Sequence, residues 1–259
     1  PAAISSVVVN QDRAVPVASA APSSDSASTG SGKRGIAYND ATVCSAFSGK
    51  SQVSWAFNWE AQPKGTIPSG FEYVPTLHDT TSVFTSVWDQ DVKAALASGS
   101  KHLMGVNEPD YSGGANLSPE GAAAAHKTYL QKYGSQAKLG SPSVTNGGAP
   151  MGLDYLGKFL MACSDCQIDF VQIHWYNDAS LVDDFKNHIQ QAYKLSNKPI
   201  WLTEFGATGS DAAVDAFLRE VLPWLDSQSY VERYAYFYAA SGKLISGSGL
   251  SSYGSTYAT

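Results

Sequence analysis

The chain has 259 residues, 43% of them hydrophobic, which is enough for one sizeable core and within the length range of a single (β/α)8 barrel. Only 15% are charged and the formal net charge is −6, with no basic run longer than Lys33-Arg34, so the electrostatic footprint of a nucleic-acid binder is missing. No stretch approaches the roughly 20 apolar residues that span a bilayer, so neither a membrane nor a nucleic acid is expected as partner. An uncharged polymer suits the neutral, Ser/Gly-rich composition better.

Residues 1–33 are mostly Ala, Ser, Val and Pro and offer too little apolar area to offset the entropy of ordering, so they read as a tail or linker before a folded domain over 34–259. Lys33-Arg34 fits either a dibasic processing site or the entry to a first strand. From Gly35 onward, β-rich and helix-forming runs alternate, the pattern of a parallel sheet with crossover helices. Eight β runs are predicted: Gly35 to Asn39, Val53 to Asn58, Tyr73 to His78, His102 to Asn107, Lys138 to Ser143, Phe170 to Tyr176, Pro199 to Phe205 and Arg233 to Ala239. That number predicts an α/β fold, a single-domain (β/α)8 TIM barrel.

Between the runs, helices are predicted near Asp89 to Ala97, Pro119 to Tyr133, Leu153 to Ala162, Leu181 to Leu195 and Asp211 to Leu225. The third-run approach, Glu60 to Gly70, holds Pro63, Gly65 and Pro68 and reads as loop, whereas Ser118 followed by Pro119 is a strong helix start. After Leu244 the chain is Ser/Gly-rich and should wrap the surface without a long helix.

Of three cysteines, Cys163 and Cys166 form a C-x-x-C pair and Cys44 stands apart. No second ligand pair supports a structural zinc, and the motif precedes a strand where a thioredoxin-like pair would open a helix, so a local Cys163–Cys166 disulfide is favoured. Cys44, among small apolar neighbours, reads as a buried free thiol. No metal motif or phosphate loop is present, and neither a metal nor another cofactor is expected. A monomer is the default.

In a barrel the chemistry lies where strands end. The fourth run ends Gly105-Val106-Asn107-Glu108-Pro109 and the seventh Trp201-Leu202-Thr203-Glu204-Phe205-Gly206, which places two carboxylates on two strand ends. One isolated glutamate there is usually solvated, but a pair is what glycoside cleavage requires, one to protonate the leaving oxygen and one to attack or stabilise the oxocarbenium-like carbon. Strand alternation predicts Ile200, Leu202 and Glu204 on one face, inside the barrel, with Trp201 turned away. His174 and Tyr176 share a face of the sixth run, with Trp175 opposite. Tyr38, Trp55, Trp59, Trp88 and Tyr111 are candidate sugar-stacking aromatics, Tyr38 and Trp55 foremost, and His78 is a further polar group at the mouth.

The phrases Leu103-Met104-Gly105-Val106-Asn107-Glu108-Pro109-Asp110, Phe170-Val171-Gln172-Ile173-His174-Trp175-Tyr176 and Pro199-Ile200-Trp201-Leu202-Thr203-Glu204-Phe205 together resemble glycoside hydrolase family 128 of clan A, mostly fungal β-1,3-glucanases. The resemblance implies a (β/α)8 glycoside hydrolase catalytic domain with a retaining mechanism, Glu108 as acid/base and Glu204 as nucleophile. It also implies that Asn107 binds the sugar 2-hydroxyl and that Tyr176 orients the nucleophile. The clan often ends its eighth strand with a Trp, where this chain has Phe237-Tyr238.

The function expected is therefore an endo-β-1,3-glucanase. An exo-acting enzyme releasing short oligosaccharides and a catalytically silent glucan-binding barrel are the alternatives. A retaining pair should lie about 5–5.5 Å apart, and the acid/base Glu108 is expected to carry a raised pKa. A secreted protein, extracellular or cell-wall associated, is expected from the disulfide reading and from an inferred leader removed before Pro1.

Overall fold

The computed structural model describes residues 32–259, so nearly all of the expected tail lies outside the described residues. Eight parallel strands, β1 (Arg34–Tyr38), β2 (Val53–Phe57), β3 (Glu72–Tyr73), β4 (His102–Leu103), β5 (Lys138–Val144), β6 (Phe170–Asp178), β7 (Ile200–Thr208) and β8 (Val231–Ala239), form one sheet ordered β3-β2-β1-β8-β7-β6-β5-β4. Its two ends meet through irregular backbone: Met104 N donates to Pro75 O at 2.9 Å, Leu77 N to Met104 O at 3.1 Å and Asn107 N to His78 O at 2.9 Å. The expected barrel forms. Its third and fourth runs hold only two residues of regular strand each, because Pro75 lacks an N–H and the chain beyond Met104 turns into the site.

Around the sheet run α1 (Ser82–Thr85), α2 (Trp88–Ala97), α3 (Pro119–Ala125), α4 (Gly152–Ala162), α5 (Val182–Ser196), α6 (Asp211–Ser227) and α7 (Ser252–Ala258). The predicted start at Ser118 holds, its Oγ accepting from Gly121 N at 3.1 Å with Pro119 in the first turn. The helix expected as far as Tyr133 instead widens into a π turn over His126–Leu130 and tightens into a 3-10 turn over Gln131–Tyr133. The Glu60–Gly70 segment carries no helix or strand, as its prolines imply, and after Leu244 come only a hairpin, β9 (Ile245–Ser246) with β10 (Gly249–Leu250), and the seven-residue α7.

That short C-terminal helix closes the N-terminal end of the barrel. Tyr257 Oη donates to Gly35 O at 2.8 Å and Tyr257 O accepts from Arg34 Nη1 at 2.7 Å. Lys33 Nζ donates to the carbonyls of Leu225, Asp226 and Gln228 at the end of α6, where the helix dipole favours a cation. Lys33-Arg34 is thus built into the barrel entry, and a cut after Arg34 would sever β1. Cys163 and Cys166 are disulfide-bonded just past α4, and Cys44 is a buried free thiol, its pKa pushed up to about 12 first of all by burial.

The core has two layers. Between sheet and helices lie Ile36, Tyr38, Ile200, Leu202, Phe205 and Trp175, the last stacked on Phe217 of α6 with centroids 5.5 Å apart. Inside the barrel lie Ala37, Trp55, Phe57, Val74, Met104, Phe170, Trp201 and Ala235. The expected parity of β7 is overturned here. Ile173 pairs with Leu202 but His174 pairs with Glu204, so Thr203 is an extra residue. The resulting bulge sends Ile200 and Leu202 out towards the helices and Trp201 into the barrel.

Below the site, Trp201 stacks on Phe170 with centroids 4.0 Å apart and the Arg233 guanidinium stands 4.5 Å from the Trp201 ring. Arg233 Nη2 meets Glu72 Oε2 at 2.6 Å, while Glu72 Oε1 accepts from His102 Nδ1 at 2.8 Å and Lys101 N at 2.7 Å. Burial alone would raise the Glu72 carboxyl, but the His102 hydrogen bond and the Arg233 charge outweigh it and bring it down to about 2.

Glu72→Gln should therefore destabilise the barrel by about 3–5 kcal/mol at neutral pH, because it strands a largely buried guanidinium. An unfolded glutamate titrates near pH 4.3, so a depressed native pKa contributes stability that is present above that value and is lost as pH falls through about 2. Denaturant midpoints should show the gap between wild type and variant closing over that acid range. A gap independent of pH would argue against this account.

Candidate active site

The site assembles at the C-terminal ends of β4, β6 and β7, where barrels carry their chemistry. His174, 1% exposed, stands between the two glutamates. Its Nδ1 lies 2.7 Å from Glu108 Oε1, and its Nε2 lies 3.1 Å from Thr203 Oγ1 and 3.6 Å from Glu204 Oε1. Glu204 is 5% exposed and accepts from Trp59 Nε1 at 2.6 Å and from the Tyr176 hydroxyl. One oxygen of Glu108 and one of Glu204 lie within 4.8 Å of each other. Among the described residues these two glutamates and His174 are also spaced as a metal-ligand trio. The two ring nitrogens, however, serve different partners, so the trio is wired as a hydrogen-bond relay rather than a convergent ligand set.

The electrostatics depart from the sequence expectation. Burial acts to raise the Glu108 carboxyl, but the hydrogen bond and charge of His174, with a smaller contribution from His78, hold it below its usual value. The expectation counted the negative charge of Glu204 and missed the imidazole between the carboxyls. Burial lowers His174, yet the charge of Glu204 and the bond to Glu108 more than offset it and leave the imidazole raised. Burial and Glu204 raise the Tyr176 phenol, which stays a donor.

Glu108 adopts φ 45°, a left-handed conformation unusual for glutamate. It is locked there by Glu108 N donating to Ser143 O at 2.8 Å and by Tyr111 N donating to Glu108 O at 3.2 Å. Asp110 ties the same loop to the next one, accepting from Thr145 Oγ1 at 2.7 Å and Gly152 N at 2.8 Å. Asn107 accepts from Ser143 Oγ at 3.2 Å through Oδ1 and is half-buried beside Glu108, so the structure brings Asn107, Glu108, His174, Tyr176 and Glu204 together. His78 is at the mouth, its ring stacked on Phe84 with centroids 4.7 Å apart.

Two expected platforms are elsewhere. Trp55 is fully buried in the lower barrel, its ring beside Trp201 and its Nε1 donating to Lys33 O at 3.1 Å. Gly35 on the neighbouring strand makes room for it, since a Cβ there would fall 2.5 Å from Trp55 Cζ2. Tyr38 is also fully buried but on the outer face, because Ala37 takes the inward position, and its hydroxyl donates to Pro63 O at 2.6 Å. Trp88 is buried against Tyr129, while Tyr111 is 49% exposed. Trp59, ranked behind Tyr38 and Trp55 as a stacking candidate, proves to reach Glu204, as Tyr176 does. Sequence reasoning missed Thr203, Ser143 and Asp110. For Asp110 the one available signal was its place directly after Glu108-Pro109.

A family profile described as the glycosyl hydrolase catalytic core matches residues 35–257. The crystal structure of a curdlan-specific exo-β-1,3-glucanase of glycoside hydrolase family 128, subgroup III, from Blastomyces gilchristii superposes with a TM-score of 0.84 and 44% identity, covering 89% of this chain and 99% of that one. This chain belongs to glycoside hydrolase family 128. Other family 128 structures are similar at lower identity. An endo-β-1,3-glucanase of subgroup I from Amycolatopsis mediterranei, in complex with laminaritriose, matches at 30% identity and TM-score 0.76, covering 87% of this chain and 98% of that one. The subgroup II endo-enzyme from Sorangium cellulosum matches at 27% and 0.76, covering 88% and 98%. Among curated proteins, Alkali-sensitive linkage protein 1 of Schizosaccharomyces pombe is 36% identical over 228 residues, 82% of this chain. The match spans 39% of that relative's length.

At the family 128 site Gly114 packs closely behind Glu108, where an added Cβ would fall 2.6 Å from Glu108 Cβ and closer still to the Glu108 carbonyl oxygen. Gly114→Ala should shift Glu108 and lower kcat on β-1,3-glucan by about 100-fold while the fold persists, since displacements near 1 Å carry losses of that order. Wild-type kcat with an unchanged circular dichroism spectrum would contradict this.

Proposed function

We propose that the chain hydrolyses β-1,3-glucosidic bonds by retaining double displacement, with Glu204 as nucleophile and Glu108 as acid/base. The observation that carries this is the spacing of the carboxyl oxygens, within 4.8 Å, on the side of a retaining pair at about 5–5.5 Å and away from an inverting pair at about 6.5–9.5 Å. A Glu204 oxygen attacks C1 of the sugar, the C1–O bond to the leaving chain breaks, and the proton on the acid/base passes to the departing oxygen. Glu108 then takes a proton from water as the water oxygen attacks C1 and frees Glu204. Trp59 and Tyr176 aim the nucleophile through their hydrogen bonds to its two oxygens. Asn107 is the residue for the 2-hydroxyl, and His78 fits a contact with a glucose hydroxyl.

His174 is a positioning residue that keeps the acid supplied. The Glu108–His174 pair titrates as a unit: its one proton rests on the imidazole and is lost only at a pKa above the ordinary imidazole value of about 6.5. The basic limb of kcat/KM should reflect that loss. In His174→Gln the limb belongs to Glu108 alone and should move to lower pH, accompanied by a fall in kcat. A limb that stays in place would remove His174 from this role.

Exo action that releases a short product is favoured, because the exo-acting subgroup III enzyme is 44% identical and the endo-acting subgroup I and II enzymes 30% and 27%. The endo expectation from sequence becomes the second reading. Secretion is part of the proposal, supported by the Cys163–Cys166 bond, which suits an oxidising compartment. Incubation with curdlan should give a single short product from the first time point, released as the β-anomer by NMR and absent with Glu204→Ala. Mixed lengths at the start would restore the endo reading, and an α-anomer would reject double displacement. Glucan binding without turnover would leave the silent barrel.

A further inference from the structure

The double displacement leaves one feature of the Glu204 side unused. The Trp59 and Tyr176 rings, whose polar atoms hold Glu204, both pack edge-on against Phe237, at centroid distances of 5.8 Å and 5.4 Å, and Tyr238 lies 4.7 Å from Phe237. Over that pair stands the ammonium of Lys243, 5.4 Å from the Phe237 centroid and 5.7 Å from that of Tyr238. The lysine is half-buried. Its ammonium makes no hydrogen bond or salt bridge among the described residues, whereas Lys33 spends its donors on three carbonyls. Aromatic faces attract a cation but leave its three N–H donors unspent.

The backbone holds Lys243 in this position. Lys243 N donates to Ala240 O at 3.0 Å, Gly242 N to Ile245 O at 3.1 Å and Ile245 N to Ala240 O at 3.1 Å, so the chain leaves β8 through a closed turn. Leu244 and Ile245 anchor the turn in the core, at 0% and 4% exposure.

We propose that Lys243 is a specificity-determining residue of the glycon side, donating hydrogen bonds to hydroxyls of the glucose unit attacked at C1 or of its neighbour towards the non-reducing end. The side follows from the roles of the two carboxylates. A nucleophile meets C1 of the sugar that the enzyme retains, so rings packed around its hydrogen-bond donors border that sugar, while the leaving chain departs past Glu108. Sugar rings present C–H faces to Phe237 and Tyr238 and hydroxyl oxygens to the ammonium, which together match what the cluster offers. The inference rests on Glu204 acting as nucleophile.

Lys243→Met keeps the apolar stem and removes the donors. Its KM for laminari-oligosaccharides should rise about 10-fold or more, the scale of a lost hydrogen bond to a charged donor, with kcat altered far less. Lys243→Arg should recover part of the loss, and both variants should melt at the wild-type temperature. KM and kcat of Lys243→Met within twofold of wild type would overturn the proposal. So would a KM defect that tracks a lowered melting temperature and is shared equally by Lys243→Arg. Calorimetric titration with laminaritriose separates this from failure of the proposed function. If wild type binds but does not cleave, the double displacement fails while Lys243 is still judged, by weaker binding of the methionine variant in support and equal binding against.

Discussion

A single buried imidazole joins the two halves of the site. His174 reaches Glu108, beyond β4, on one side and Thr203 and Glu204, both on β7, on the other. Because the ring is almost wholly removed from water, its charge is balanced by neighbouring carboxylates and not by solvent, which couples its protonation to that of Glu108. Under the proposed mechanism the acid, Glu108, is then held low in its own pKa without losing access to a proton donor, because the imidazole Nδ1 lies 2.7 Å from Glu108 Oε1.

The barrel separates this chemistry from its support along its axis. At the upper end the carboxylates are held by long polar side chains. Beneath them, Trp201, Phe170, Trp55 and Phe57 fill the interior with packed rings, and the Arg233–Glu72 ion pair, with His102 bonded to Glu72, lies among them. A paired guanidinium over an indole places charge inside the barrel without an uncompensated ion. Wide rings fill the barrel below Glu204, whose two oxygens are held by Trp59 and Tyr176.

Most of this was legible in the sequence at the level of elements, and less so at the level of faces. Eight runs, the loop at Glu60–Gly70, the Ser118 cap and both glutamates followed from periodicity, turn residues and paired carboxylates. The side on which Ile200, Leu202 and Trp201 point did not, since one bulged residue at Thr203 inverts the alternation, and no propensity marks a threonine as the extra residue. Trp55 was misplaced for a related reason. The sequence put it near a strand end as a stacking aromatic, but whether a ring stacks downward or opens to the mouth depended on Gly35 of the adjacent strand vacating the space. Tyr38 failed on parity alone. Partners such as Thr203 and Asp110 had no signal of their own, because their importance lies in what they touch across long sequence separations.

Two residues that bring polar atoms to the site from outside the strands, Trp59 and Glu108, are both held at positive φ, at 64° and 45°. Neither residue type favours that region, so each position is maintained against a local conformational preference of order 1 kcal/mol or more. Side chains leaving a barrel strand in regular extended backbone point either into the barrel or out to the helices, and neither direction brings a residue beyond the strand back over the mouth. A left-handed turn immediately past the strand redirects the side chain across the opening, which lets Trp59 reach Glu204 and Glu108 reach His174. The strain is met by local constraints: the close approach of Gly114 behind Glu108, and the bond from Asn58 Nδ2 to Gln62 O at 3.0 Å that closes the loop around Trp59. Convergence on the mouth therefore requires two unfavourable backbone conformations near the site. Relaxing either would return its side chain to the barrel wall.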